Sequence, residues 1–248
     1  LAILSHVLEH LEFPRKMLIE MIEKTVYAVS VEDTRYVLTG VCLSLEKGKA
    51  RMVATDGRRL SYIARPVADS AKVVDKVVIP AKAAREAARL LGDAAGDTVQ
   101  VAITENQMGF RSGETLLMSR LIDGNFPNYE QVIPKSTTVK LTVKTEDFAA
   151  LTRRLQVNTT DKSNSIRFEF GTGKLAASAQ GSSQGEDEMV LSYQGENVVV
   201  GFNPGYVLEA LGHINGEMEI ALSGPTNPAV FRPADDADYL NVIMPMRL

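Results

Sequence analysis

The chain carries one pattern twice. Val77-Val-Ile79 stands before one helical stretch and Val198-Val-Val200 before another. Val99-Gln-Val-Ala-Ile103 is matched by Met218-Glu-Ile-Ala-Leu222, and both pairs are offset by about 120 residues. Leu18 in the first helix is similarly placed to Leu151 in the third. A period of this length is too long for a solenoid unit and suits a duplicated domain. The feature limits the fold to two similar bodies in tandem, each with two helices and about eight strands.

The elements follow from local chemistry. Pro14 suits the first position of a helix, in which Leu18, Ile22, Val26 and Val29 recur at helical spacing. Residues 35–45 read as a strand, Glu46-Lys-Gly-Lys49 as a hairpin turn, and Asp56-Gly57 as a tight corner before a strand at 60–64. A strand at 76–80 leads to a helix at 81–91 that Gly92 stops. Strands at 99–103, 108–111 and 116–121 follow, then a turn-rich loop, Asp123-Gly-Asn-Phe-Pro-Asn-Tyr129, and a linker near 132–138. The second copy reads as a strand at 139–143, a helix at 146–157 and strands at 166–170, 175–179, 189–193 and 198–200. A short helix at 204–211 and strands at 218–222, 229–232 and 240–244 close it.

No catalytic constellation emerges from these residues. His6 and His10 stand four apart, but no cysteine or carboxylate cluster has ligand spacing beside them. Gly171-Thr-Gly-Lys174 lacks the spacing of a phosphate loop and reads as a hairpin turn. Asp235-Asp-Ala-Asp238 is a run within one loop, whereas a paired-metal site needs carboxylates from several elements. The single cysteine, Cys42, sits in a strand-like run as a small core residue. A binding or scaffolding protein is favoured over an enzyme, with no metal and no cofactor expected.

Charge and the C-terminus point to two surfaces. The net charge of −4 means that any contact with nucleic acid must come from local placement. Lys82, Arg85 and Arg89 fall on one helix face, and Arg15, Lys16, Lys24, Arg153 and Arg154 stand on the first and third helices. They form either ordinary solvated faces or a surface for phosphates. The final Tyr239-Leu-Asn-Val-Ile-Met-Pro-Met-Arg-Leu248 is apolar almost to its end. It reads as a last core strand, or as a strand whose end walls a peptide groove, with two methionines that adapt to several partners.

Several motifs, in order, resemble the bacterial sliding clamp family, the beta subunit of DNA polymerase III. Val53-Ala-Thr-Asp-Gly-Arg-Arg-Leu60 and Asp33-Thr-Arg-Tyr-Val-Leu-Thr-Gly40 are similar to that family's second domain. The 123–129 loop with Ile133-Pro134 resembles its interdomain loop, and Phe202-Asn203, Tyr206 and residues 242–248 resemble its third domain. The resemblance implies an α+β fold of duplicated clamp domains, each with two helices packed on antiparallel sheets, as part of a ring of six such domains. Residues 1–10 would be a remnant of, or connection from, a missing first domain; 11–134 would be the middle domain and 135–248 the C-terminal one.

The resemblance also implies a function. A clamp is a processivity factor that encircles duplex DNA as a homodimer ring when full length, in the cytoplasm and without membrane contact. It has no catalytic site of its own and serves as an accessory subunit of a DNA-directed DNA polymerase. The polymerase III catalytic subunit, the clamp loader and other proteins dock a short motif in a pocket between the second and third domains. Carried over by position, that pocket uses Arg35, Leu38, Thr55, Gly57, Arg58, Arg59, Leu60, Pro134, Asn203, Tyr206, Val242, Met244, Pro245, Met246 and Arg247. Leu38, Leu60, Val242 and Met244 would wall an apolar anchor, Gly57 would admit a backbone, and Arg35 and Arg247 would bond carbonyls or acidic flanks. Arg58 stands where many members have histidine. Tyr36, Lys82, Arg85 and Arg89 are the DNA candidates, with Val37 in place of an aromatic residue and Glu32 an acid nearby. The alternatives are a duplicated peptide-binding regulatory module without DNA, or a metal-dependent nuclease.

Overall fold

The computed structural model describes residues 9–67, 74–161 and 163–247. They form two compact units divided between Pro127 and Asn128. The expected boundary after Pro134 and this division lie on either side of the short 3-10 turn Tyr129–Gln131.

The first unit runs β1 (Glu9–Pro14), α1 (Arg15–Glu23), β2 (Gly40–Glu46), β3 (Lys49–Thr55) and β4 (Arg59–Pro66), then β5 (Val74–Pro80), α2 (Ala81–Asp93), β6 (Thr98–Ile103), β7 (Gln107–Ser112) and β8 (Thr115–Arg120). The order β-α-β-β-β therefore occurs twice within the unit. The leading strand of each half hydrogen-bonds into the other half's sheet, giving the antiparallel orders β1-β6-β7-β8 and β5-β2-β3-β4.

The second unit repeats this scheme strand for strand. It runs β9 (Val139–Lys144), α3 (Thr145–Gln156), β10 (Ile166–Gly171), β11 (Lys174–Gln180) and β12 (Gln184–Val190), then β13 (Val198–Phe202), α4 (Pro204–Leu211), β14 (Glu217–Leu222), β15 (Ala229–Pro233) and β16 (Tyr239–Ile243). Its sheet orders are β9-β14-β15-β16 and β13-β10-β11-β12. The matched pairs read from sequence fall on equivalent elements: β5 with β13, β6 with β14, and α1 with α3.

Each sheet buries one face, as alternation requires. In β9, Val139, Leu141 and Val143 point inward while the lysines and threonine between them are exposed. The helices pack against the sheets and against each other in pairs, α1 on α2 and α3 on α4. α2 offers Ala84, Ala87 and Ala88, small residues that let helix axes approach closely, with Leu91 buried beside them. The second unit instead centres on phenylalanines. Phe168 stacks on Phe148 at 5.2 Å and lies 6.0 Å from Phe202, which meets Phe231 edge-on at 5.6 Å. Cys42 is buried in β2, and burial pushes its thiol up to about 12.

Several expectations are corrected. α1 ends at Glu23, because the Thr25 hydroxyl donates to the carbonyls of Met21 (2.7 Å) and Ile22 (3.2 Å) and closes the helix. Val26 then lies in a 3-10 turn and Val29 is extended, although both remain buried. Residues 35–39 are not strand: Asp33–Thr39 winds as 3-10, held by Ser30 N–H on the Leu38 carbonyl (2.8 Å) and Thr39 Oγ1 on the Tyr36 carbonyl (2.7 Å). α2 continues through Gly92 to Asp93. Its C-terminal carbonyls are met by Arg15, whose guanidinium donates to Leu91 (2.6 Å), Gly92 (3.3 Å) and Gly96 (2.7 Å). Pro14 ends β1 and precedes the helix by one residue. β1 itself was not expected. β12 covers Gln184–Val190 rather than 189–193, because it is polar on both faces and carries no apolar alternation.

A buried-side ion network ties α1 to β4. Glu20 accepts from Arg65 Nη2 (2.7 Å) and Lys24 Nζ (2.7 Å), and the Arg65 guanidinium holds its carboxyl down at about 2. A depressed carboxylate contributes stability that is complete above its ordinary range near 4.5 and is lost as pH falls towards 2. Glu20→Gln is therefore expected to cost about 1–2 kcal/mol at neutral pH, after allowance for solvent screening. The difference from the wild type should shrink as pH falls from about 4.5 and vanish only below about 2, as urea unfolding across pH will measure.

Candidate functional site

The predicted partner residues of the first unit gather at the hairpin between β3 and β4. Thr55 pairs with Leu60 across it. Thr55 Oγ1 donates to the Arg59 carbonyl (2.6 Å) and accepts from Gly57 N–H (3.1 Å). Asp56 Oδ1 accepts from Arg58 N–H (2.8 Å) and Arg59 N–H (3.0 Å), the local bonding that suits aspartate to turns. Its other oxygen pairs with Arg59 Nε at 3.2 Å. Arg59 also donates to the Tyr27 carbonyl (3.0 Å) and stacks 5.6 Å from the Tyr27 ring centre. Arg59 is thus a pin for the corner, only 11% exposed at its side chain.

Gly57 has φ +84°, a left-handed conformation that costs other residues about 1–2 kcal/mol. A Cβ there would stand 2.5 Å from Arg35 Nη1, which donates to the Asp56 carbonyl at 2.6 Å. The close approach expected at Gly57 is therefore made by the chain's own Arg35, placed there by the 3-10 segment. Leu38 is half-buried and Arg58 exposed. Leu60 is a core residue, 3% exposed, and offers no open wall.

The second unit builds a corner around the start of α4. Asn203 caps the helix, its Oδ1 accepting from Gly205 N–H (2.8 Å) and Tyr206 N–H (3.3 Å), and Pro204 follows with its fixed φ. The C-terminal tail crosses the same corner, where Met246 N–H donates to the Gly201 carbonyl at 2.8 Å. Met244 and Met246 are 36% and 37% exposed, unusual for large apolar side chains, with partly buried Pro245 between them and exposed Arg247 after them. Val242 is fully buried opposite Val230 in β15, so it is a core residue and not an accessible wall. Pro134 lines a separate cleft with Lys140, Val230, Arg232 and Leu240. Within each unit the structure thus assembles a fixed corner, and it moves Leu60 and Val242 into the core. Asp56 and Tyr27 are the contributors that sequence reading missed. Asp56 was legible in principle from the Asp-Gly turn; Tyr27 gave no signal.

Of the DNA candidates, Tyr36 is 60% exposed on the 3-10 segment, and Lys82, Arg85 and Arg89 lie on the exposed face of α2. Arg89 forms two bonds to Glu86 (2.6 and 3.1 Å), which holds that carboxyl below its ordinary range and raises the arginine. Arg85 Nη2 donates to the Val26 carbonyl at 3.2 Å. Arg15 is committed to capping α2, and Arg154 pairs with Asp187 at 2.6 Å, lowering that carboxyl. Among the described residues no group of three or more His, Cys, Asp or Glu is placed to hold a metal ion. No helix among them is long and apolar enough to cross a membrane.

Comparison with known proteins agrees along the whole chain. The family profile described as DNA polymerase III beta subunit, central domain, matches residues 12–128, and the C-terminal domain profile matches residues 130–247. The beta sliding clamp of Chlamydia pneumoniae is 34% identical over 238 residues, covering 95% of this chain and 64% of the relative. That of Caulobacter vibrioides is 33% identical, covering 93% and 64%. The chain thus spans less than two thirds of the length of these curated relatives. The crystal structure of the Pseudomonas aeruginosa DNA polymerase III subunit beta aligns with a TM-score of 0.94 at 30% identity, covering 98% of this chain and 67% of that one. A second Pseudomonas aeruginosa clamp structure, bound to griselimycin, aligns with a TM-score of 0.93. With one family profile on each unit and relatives of this identity along both, the chain belongs to the beta subunit family of DNA polymerase III, the beta sliding clamps.

Proposed function

We propose that the chain works as part of a DNA sliding clamp, holding a replicative polymerase on duplex DNA and docking partner proteins through short apolar motifs. The observation that carries the docking role is the exposure of Met244 and Met246, held in place by the backbone bond from Met246 to Gly201. Adaptable thioethers on a fixed strand end suit a surface that accepts several partners. Arg35, Leu38 and the Thr55–Arg58 turn are the docking residues proposed in the first unit, and Asn203, Tyr206, Met244 and Met246 those proposed in the second. Arg59, Leu60 and Val242 support them from within.

For DNA, Tyr36 and the α2 cations are the proposed contacts. Bonds to phosphates are individually weak and blind to sequence, so they permit sliding. The Glu86–Arg89 pair leaves Lys82 and Arg85 as the stronger candidates. The chain acts without a catalytic site, as an accessory to the polymerase in the cytoplasm, within a full-length protein that closes into a ring as a homodimer. Calorimetric titration of the chain with a short peptide carrying a leucine–phenylalanine anchor tests the docking role. One-to-one binding is expected, lost when the anchor is replaced by serines; no heat from either peptide would contradict it.

A further inference from the structure

We infer that Glu32 is a specificity-determining residue of the partner site, offsetting the charge of the Arg35 guanidinium beside Gly57 so that motifs with uncharged flanks are preferred to acidic ones. The inference rests on the docking role proposed above for the corner at Gly57.

Arg35 has two fixed partners. Nη1 donates to the Asp56 carbonyl at 2.6 Å, and Nε faces Glu32 Oε2 at 3.7 Å. The first bond fixes where the guanidinium sits, against the bare Cα of Gly57. The second sets an opposite charge beside the guanidinium, which itself stays protonated. Glu32 is itself anchored, its N–H donating to Ser30 Oγ at 3.1 Å where the 3-10 segment begins. Both side chains are about half exposed, at 43% and 50%, so the pair is open to a ligand.

An arginine presents five donors and accepts nothing, so those not engaged by Asp56 can still bond a peptide carbonyl. A carbonyl is indifferent to Glu32. An aspartate or glutamate beside the anchor is not, because it would compete with Glu32 for one cation and meet it as a like charge. The pair therefore discriminates by flank charge and leaves recognition of the apolar anchor unchanged.

Two synthetic peptides test this by calorimetry at low salt. They share a leucine–phenylalanine anchor and differ only in having two serines or two aspartates beside it. In Glu32→Gln the aspartate peptide should bind about two- to fivefold more tightly than in the wild type, the size of an exposed charge pair, while the serine peptide stays unchanged. The gain should fade as salt rises. Glu32→Asp, which keeps the charge, should restore the wild-type preference. An equal change for both peptides, or none for the aspartate peptide, would overturn the role of Glu32 while leaving the docking site standing. If the wild type bound neither peptide, both readings would fall together.

Discussion

Replacing Phe168 by alanine is expected to destabilise the second unit by about 3–5 kcal/mol, the range for emptying a buried phenylalanine site. The side chain is fully buried, stacked on Phe148 at 5.2 Å and within 6.4 Å of Phe170 and 6.0 Å of Phe202. It therefore joins α3, β10 and β13, and its loss leaves a cavity that three large rings cannot close by small shifts. Urea unfolding followed by circular dichroism will measure the change. A loss below about 1 kcal/mol would show that the ring cluster is not the centre of this unit. Phe168→Leu should fall between the two proteins, since it keeps most of the apolar volume.

The second large effect is on binding. Met244→Ala combined with Met246→Ala should weaken a peptide with a leucine–phenylalanine anchor by about 2–3 kcal/mol, roughly 30- to 150-fold in Kd. The fold should survive, because the tail is held by the Met246 backbone and by buried Val242 and Ile243, none of which the substitutions touch. The two methionines expose more than a third of their surface, so little core is lost. Unchanged affinity with intact structure would remove the methionines from the docking site.

Local chemistry made part of this molecule legible in the sequence. Asp56-Gly57 specifies a tight turn with a positive φ, and Asn203-Pro204 specifies a helix start, so both corners could be placed without tertiary information. The Val-rich strands β5 and β13 and the matched strands β6 and β14 revealed the duplication. What stayed hidden depends on distant partners. Arg15 looked like a surface cation until α2 brought its end, 76 residues away, against it. Residues 35–39 carried strand-like side chains but were wound by hydrogen bonds to their own neighbours. β12 is recognisable only through its pairing with β11, because its residue types show no alternation of apolar with polar although their exposure alternates. The second level of repetition, two β-α-β-β-β halves in each unit, leaves a faint trace in sequence, such as Pro14 and Pro80 before the two helices of the first unit, and shows itself through the exchange of leading strands between halves.

The site divides in the same way. Its composition was legible; which members are accessible was not. Leu60 and Val242 differ from Met244 and Met246 in burial, and an apolar run gives no hint of that. Arg59 and Arg35 both read as ligand-binding arginines, yet Arg59 spends its donors on Asp56 and Tyr27, whereas Arg35 keeps an exposed guanidinium.

This chain is proposed to contribute to a clamp that holds DNA by enclosing it. Retention on circular duplex tests that most directly. A fusion joins the chain to the third of the Pseudomonas aeruginosa relative that lies outside the match, and a clamp loader places it on nicked circular DNA. Gel filtration at high salt, where phosphate contacts are screened, then reads retention. The fusion should stay on the circle and be released once the circle is cut to a linear duplex; equal loss from circular and linear DNA would contradict the account.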